Sequence, residues 1–271
     1  MNNLELLNHT KNLMQIGAEK VRMSPHLATE TGTLDAKGTP TIAMDKALEK
    51  TFLQYIEANQ LPVTIYSEDS NDLTSYHAQP NYLLLIDPLD GSTNYKIGYG
   101  LLPFGSFFTI FKNFKPQLSD VVVAGAIEYT SNQRFVSIDG QTADIDGHIV
   151  RLKSDWPLEP VPPTVHLELY KDGYEAFAPL SKKLRIFNQG ALVNSVTSVL
   201  SNISALMGGI AVRSEEIGAL YALITGAGGV MVDLQGNDIG NQPLDHARKY
   251  EILAGSKSVV EYALSYVKRS Q

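Results

Sequence analysis

The stretch NYLLLIDPLDGST, residues 81–93, decides how the rest of the chain is read. Its apolar run from Tyr82 to Ile86 carries no charge and predicts a buried strand that stops at Asp87. Pro88 has no N–H and a fixed φ, so the ladder is expected to end there, with the Leu89 carbonyl turned away from the sheet. A helix starting after Asp90 would aim the free N–H groups of Gly91, Ser92 and Thr93 at one point, where an anion is stabilised. Two carboxylates, a free carbonyl and an anion pocket then fall within seven residues. That density of oxygen suits a hard divalent cation held against a phosphate. The same letters also read as a strand, a D-P turn and Asp90 as an ordinary helix N-cap, so residues elsewhere in the chain have to decide.

At 271 residues and 44% hydrophobic, the chain can bury a full core, as one large domain or two closely packed halves. The formal net charge is -7 and no Lys/Arg-rich run occurs, which argues against a nucleic acid polymer as partner. An acidic protein that handles phosphate needs a cation to screen the repulsion. There is no cysteine, which excludes disulfides, thiolate zinc sites and a cysteine nucleophile, and suits a reducing cytoplasm. The opening residues carry Glu5 and Lys11 with no unbroken apolar run, so no signal peptide is expected. The longest uncharged apolar stretch, residues 217–232, holds four glycines and falls short of a membrane span.

Working back from the motif, Pro62 to Tyr66 reads as a short strand with Glu68 and Asp69 just past its end, by default an exposed acidic turn. Before it, a Gly/Pro loop leads into a helix with Asp45 near its start and Leu48, Phe52, Tyr55 and Ile56 on the apolar side. Residues 4–23 form an amphipathic helix through Leu6, Leu13, Ile16 and Val21. Working forward, strands are expected at 105–111, 120–129 and 134–138, with D-G turns at Asp139–Gly140 and Asp146–Gly147. The segment 153–163 contains four prolines and is a connector. Beyond it come strands at 165–170, 182–187, 207–212, 229–234 and 250–255, with helices at 192–206, 215–225 and 259–269. This order predicts an α/β fold of layered sheets and helices, with an N-terminal half to about residue 152 and a C-terminal half from about 164.

The string D-P-L-D-G-S at residues 87–92 resembles the metal-binding signature of the inositol monophosphatase and fructose-1,6-bisphosphatase superfamily. The resemblance extends further. The segment Glu68-Asp69-Ser70 sits where that family has Glu-Glu-Ser, with Glu68 on the first glutamate, the metal ligand, and Asp69 replacing the second. Strand ends of one sheet can bring Glu68 beside Asp87. Counting eleven residues back from Ala227 of the Ala-Gly-Gly lands on Glu216, where the family has aspartate. Val212, Arg213 and Ile217 match the form found in archaeal-type dual-specificity sugar phosphatases. Glu216 also reads as a helix-start residue, with Ser214 as the N-cap. Asp45, after Thr39-Pro40, is either another helix-start residue or, by the resemblance, close to a third and weaker metal. The loop after the motif is a few residues longer than is common in the family.

The resemblance implies a Mg2+-dependent, lithium-sensitive phosphomonoesterase. Glu68, Asp87 and the Leu89 carbonyl would hold one ion, and Asp87, Asp90 and Glu216 the second, with Asp87 bridging. A metal-activated water would attack, assisted by Glu68 and by the hydroxyl of Ser92 or Thr93. The N–H groups of Gly91 and Ser92 would hold the phosphate, and Gly190, Ala191 and Arg213 would contact the rest of the substrate. A covalent phosphoaspartate is not expected, because D-x-x-D lacks the D-x-D spacing. The implied substrate is a small sugar or polyol phosphate, such as inositol monophosphate or fructose-1,6-bisphosphate. Alternatives are a 3′(2′),5′-bisphosphate nucleotidase of the same family, or a catalytically degenerate relative that binds a phosphorylated ligand. The implied setting is a cytoplasmic homodimer with no membrane partner. The six histidines show no ligand spacing and receive no role.

Overall fold

The computed structural model describes residues 1–24, 26–34, 40–67 and 73–267. The chain begins with helix α1 (Asn3–Met23), a hairpin of β1 (Glu30–Leu34) and β2 (Pro40–Ile42), and helix α2 (Ala43–Ala58). It continues through β3 (Val63–Ser67), β4 (Thr74–Ser75), β5 (Tyr82–Asp90), the short α3 (Ser92–Gly98), β6 (Gly105–Phe111), β7 (Val121–Glu128), β8 (Gln133–Ile138) and β9 (Gln141–Asp144). The second half holds β10 (Thr164–Leu167), α4 (Asp172–Phe177), β11 (Arg185–Phe187), α5 (Leu192–Leu200), β12 (Leu206–Val212), α6 (Ser214–Gly226), β13 (Val230–Val232), β14 (Tyr250–Gly255) and α7 (Lys257–Leu264). A seven-stranded sheet runs in the order β4-β3-β5-β6-β7-β8-β9, and a five-stranded sheet in the order β11-β10-β12-β14-β13.

The alternation of strand side chains sorts these elements into five layers. On β5, β6 and β7, the residues Leu84, Ile86, Phe108, Ile110, Val123 and Ile127 face α1 and α2, which bury Leu6, Leu13, Met14, Leu48, Phe52 and Ile56 against them. Their neighbours Phe107, Ala124 and Ala126 face the other way, onto Val193 and Val196 of α5 and Ile217, Leu220, Leu223 and Ile224 of α6. The far side of α5 and α6 packs on Met207, Ile252 and Ala254 of the second sheet. Leu206 and Leu253, one residue out of phase, face α4 and α7 through Phe177, Val259, Val260 and Ala263. The α5–α6 layer is therefore apolar on both sides, which is why α6 is buried almost throughout. Gly218 lets α6 lie close to the first sheet, since a Cβ there would come within 2.8 Å of Phe111 and Thr109. No helix among the described residues is long and apolar enough to cross a membrane.

The structure departs from the sequence reading at several boundaries. Helix α5 stops at Leu200 instead of 206, because the chain turns through Asn202 in the left-handed region before β12 begins. The strand expected over 165–170 ends at Leu167, and the residues after it turn into α4, which the pattern did not reveal. The closing helix spans Lys257–Leu264, starting two residues earlier than expected and ending sooner. The Asp139–Gly140 turn does join β8 to β9, with both residues at positive φ as a two-residue hairpin of that type requires.

Candidate active site

β5 pairs in parallel with β3 up to Ser67↔Ile86, one residue before Asp87. Glu68 and Asp69, which follow Ser67, lie outside the described residues. On its other side β5 pairs with β6 through Asp87↔Phe107, loses register, and pairs again at Asp90↔Gly105. The expectation that Pro88 ends the ladder is therefore corrected. Pro88 and Leu89 form a bulge, where the missing proline N–H costs no ladder bond, and the strand resumes beyond them. The bulge is pinned from below. Ser106 Oγ donates to the Pro88 carbonyl at 2.6 Å, which uses its one hydrogen, so the Tyr129 hydroxyl 2.7 Å away donates to Ser106. Burial raises the Tyr129 phenol pKa, which keeps that donor in place. Leu89 N–H donates to Asp87 Oδ1 at 3.0 Å.

Asp90 does not cap α3, whose N-cap is Gly91 in the left-handed region at φ 81°. Its Oδ2 instead accepts from Val193 N–H at 2.6 Å, at the start of α5 and 103 residues away in the chain. A helix N-terminus thereby holds a carboxylate of the first half in place. Ser214 is likewise not the N-cap of α6: Arg213 is, and the Ser214 hydroxyl donates to Glu215 Oε2 at 2.6 Å. Glu216, in the first turn, accepts from Arg213 N–H at 2.8 Å through Oε2. The helix-start role read from the sequence is therefore present.

One carboxylate oxygen from each of Asp87, Asp90 and Glu216 lies within 4.8 Å of the other two. All three residues are buried, at 1%, 8% and 5% exposure. Burial first, and then the negative charge of Glu216, Asp90, Glu215 and Asp45, holds the Asp87 carboxyl well above the usual range. Asp90 is pushed up to about 7 by burial and by Glu216, against the opposing pull of the Val193 and Leu192 N–H groups. Three buried carboxylates in mutual repulsion are stable only with protons or a cation among them. An all-oxygen, anionic donor set fits a hard divalent ion. Asp45 acts electrostatically on Asp87 but is not one of the three, and its Oδ2 accepts from Ile42 N–H at 3.0 Å at the start of α2. A second cluster, Asp144, Asp146 and His148, lies in the hairpin after β9, where Asp144 Oδ1 accepts from the N–H groups of Asp146 and His148. Such bonds are those of a turn.

Asp90 and Glu216 open onto a cavity of about 670 Å³. Gly91, Ser92, Thr93, Gly190, Ala191 and Arg213, all expected from the sequence to contact substrate, line it as well. Gly91 is required twice over, by its positive φ and because a Cβ would come within 2.9 Å of Ala191 Cβ. Asn94 ties the two lips of the cavity together, donating to the carbonyls of Pro103 and Gln189. The sequence reading missed Glu168, Tyr170, Phe187 and Lys249, which also line the wall. Glu168 had a usable signal, since it follows the last residue of β10 as Glu68 follows β3. Lys249 had none, because its loop is placed by tertiary contacts.

A model of the inositol monophosphatase family matches residues 3–271. The fructose-1,6-bisphosphatase/inositol-1-monophosphatase of Thermococcus kodakarensis is 27% identical over 214 residues, covering 78% of this chain and 76% of that protein. A class 1 fructose-1,6-bisphosphatase of Syntrophus aciditrophicus is 32% identical over 82 residues, a part that covers 30% of this chain and 24% of that protein. Among solved structures, the extragenic suppressor protein suhB of Bartonella henselae superposes with a TM-score of 0.80 at 16% identity, over 98% of this chain and 100% of that one. An inositol monophosphatase-fructose 1,6 bisphosphatase superposes at 0.77 and 20% identity, over 96% and 98% of the two chains. At those identities the structural likeness establishes the layered fold, and the match along the sequence establishes kinship. The chain belongs to the inositol monophosphatase family and is by that membership a phosphoric monoester hydrolase.

Proposed function

We propose that this phosphatase is Mg2+-dependent and hydrolyses a small sugar or polyol phosphate, of the inositol monophosphate or fructose-1,6-bisphosphate kind. The observation that carries the reading is the meeting of Asp87, Asp90 and Glu216, the last two of which line a cavity large enough for a phosphorylated sugar. Those three carboxylates would hold one ion. Glu68, Asp87 and the Leu89 carbonyl would hold another, and Asp45 would stand near a weaker third. Bound there, divalent cations would neutralise the carboxylates and the ester's charge and lower the pKa of water.

The chain's own groups supply the rest. Val193 N–H fixes Asp90, so that this carboxylate keeps its aim without reorganisation. The N–H groups of Gly91 and Ser92, residues that line the cavity, would take phosphate oxygens, while the Ser92 or Thr93 hydroxyl would orient a water for attack. Gly190 and Ala191 bring bare backbone to the substrate, and Arg213 supplies a cation to its far end. The name of the Thermococcus relative, which joins both activities, favours a sugar or polyol over a nucleotide. A reducing cytoplasm and a homodimeric state belong to the same reading. Phosphate release from inositol 1-phosphate, fructose-1,6-bisphosphate and adenosine 3′,5′-bisphosphate, each with Mg2+ and with EDTA, tests it. Turnover of either of the first two that EDTA abolishes is expected. Turnover of the nucleotide alone would move the assignment to the nucleotidase, and none at all would favour the degenerate relative.

A further inference from the structure

His246 has no part in the reading above, yet it touches the start of α6 that carries Glu216. Its Nδ1 lies 3.2 Å from Ser214 Oγ, and Ser214 Oγ lies 2.6 Å from Glu215 Oε2. Ser214 has a single hydrogen and donates it to Glu215, so the oxygen facing His246 requires an N–H at Nδ1. The relay therefore has a direction, from His246 through Ser214 to Glu215. Ser214 and Glu215 are both buried, at 1% exposure. The imidazole also stacks on Tyr66, with ring centroids 3.9 Å apart and planes inclined by 26°. Tyr66 lies on β3 immediately before Ser67, at the strand end that points toward the carboxylate cluster.

The ring's own position is set by its loop. Leu244 N–H donates to the Pro116 carbonyl, and the Tyr250 hydroxyl accepts from Asp245 N–H at 3.0 Å and donates to the Pro243 carbonyl at 3.3 Å. The same loop carries Lys249 to the cavity wall. His246 thus joins three separate parts of the site: the end of β3, the first turn of α6 and the loop before β14.

We propose that His246 is a positioning residue, whose Nδ1–H, acting through Ser214 on Glu215 while its ring rests on Tyr66, holds the first turn of α6 so that Glu216 meets Asp87 and Asp90. This rests on the metal-dependent reading above and adds a residue to it. Outer contacts of this kind set metal affinity because they fix the orientation of the ligand they support.

The test uses the full chain and two readouts: Mn2+ binding followed by electron paramagnetic resonance, and the Mg2+ concentration at half-maximal phosphate release. His246→Phe keeps the stack and removes the donor. His246→Asn keeps a donor and loses most of the stack. Ser214→Ala removes the relay without touching the ring, so the inference stays refutable even where His246→Phe does not fold. His246→Phe and Ser214→Ala should each weaken Mn2+ binding roughly tenfold, and the double variant should be no worse than Ser214→Ala alone. His246→Asn should stay within about threefold of the parent protein although its melting temperature drops. A parent protein that binds Mn2+ while both relay variants bind it equally well overturns the positioning role alone. Mn2+ affinity that follows melting temperature across all the variants overturns it too, as a purely structural effect. A parent protein that binds no Mn2+ overturns the metal-dependent reading, and this inference with it.

Discussion

Replacing Asp90 by asparagine removes one negative charge from the buried cluster while leaving an oxygen for the Val193 N–H, which Asp90 Oδ2 accepts at 2.6 Å. In the folded, metal-free protein the Asp90 carboxyl is pushed from 3.8 to about 7. A group whose pKa is raised by folding contributes its full stability below the unfolded value and loses it as the pH climbs through the folded one. At about 1.4 kcal/mol per unit, ionised Asp90 costs at most about 4 kcal/mol at pH 8. Water entering the cavity relaxes part of this. We therefore expect Asp90→Asn to raise the EDTA-treated melting temperature at pH 8 by roughly 5 °C, with little change at pH 4. Between those limits the parent protein should lose melting temperature more steeply with pH than the variant. Mg2+ at a hundredfold its Kd should return about 2.7 kcal/mol to the parent and much less to Asp90→Asn. The assay is thermal unfolding by circular dichroism in EDTA or Mg2+ across this pH range. Parallel curves for the two proteins in EDTA, or a less stable variant at pH 8, would refute the claim that these carboxylates repel one another in the fold.

Glu216 already reaches the cluster while holding the Arg213 N–H, so Glu216→Asp should lower kcat/KM by roughly 10–100-fold, as a small misplacement of a reacting group does. A gain in turnover would show instead that the longer side chain is a defect. Ser106→Ala strands the Pro88 carbonyl and the Tyr129 hydroxyl beneath the bulge and should cost about 1–3 kcal/mol in denaturant unfolding, with kcat falling more than KM rises. An unchanged kcat would mean that the bulge keeps its shape without that support. Gly91→Ala meets both a positive φ and Ala191 Cβ at 2.9 Å, whereas Gly140→Ala meets a positive φ with nothing within 4 Å. The first should abolish turnover and the second only lower stability by about 1 kcal/mol, read as a small drop in melting temperature. Equal effects on kcat would separate Gly91 from the site.

The layered fold was readable because β5, β6 and β7 alternate or run apolar, and α1 and α2 keep a helical period. Those signals are local. Where local signals compete, the reading slipped. The Ser/Val/Asn-rich segment after Ala191 suits a helix as far as residue 206, and only the left-handed turn at Asn202 and the pairing of Leu206 with Gly255 stop it at Leu200. Pro88 looked like a terminator because it cannot donate, but an antiparallel neighbour can bulge around it.

By itself, the sequence determined which oxygens are available and the order in which they occur. D-P-L-D-G-S, the glutamate eleven residues before Ala-Gly-Gly and the absence of cysteine already confine the chemistry to carboxylates and a hard cation. What only the tertiary structure decided is which of those carboxylates share one space, and what holds them there. Asp90 depends on an N–H in the first turn of a helix 103 residues away, and the Ser214 that opens the helix of Glu216 touches a histidine from a loop further on still. Contacts of that span leave no periodicity in the chain, because each is set by the packing of layers and not by the neighbours of either residue.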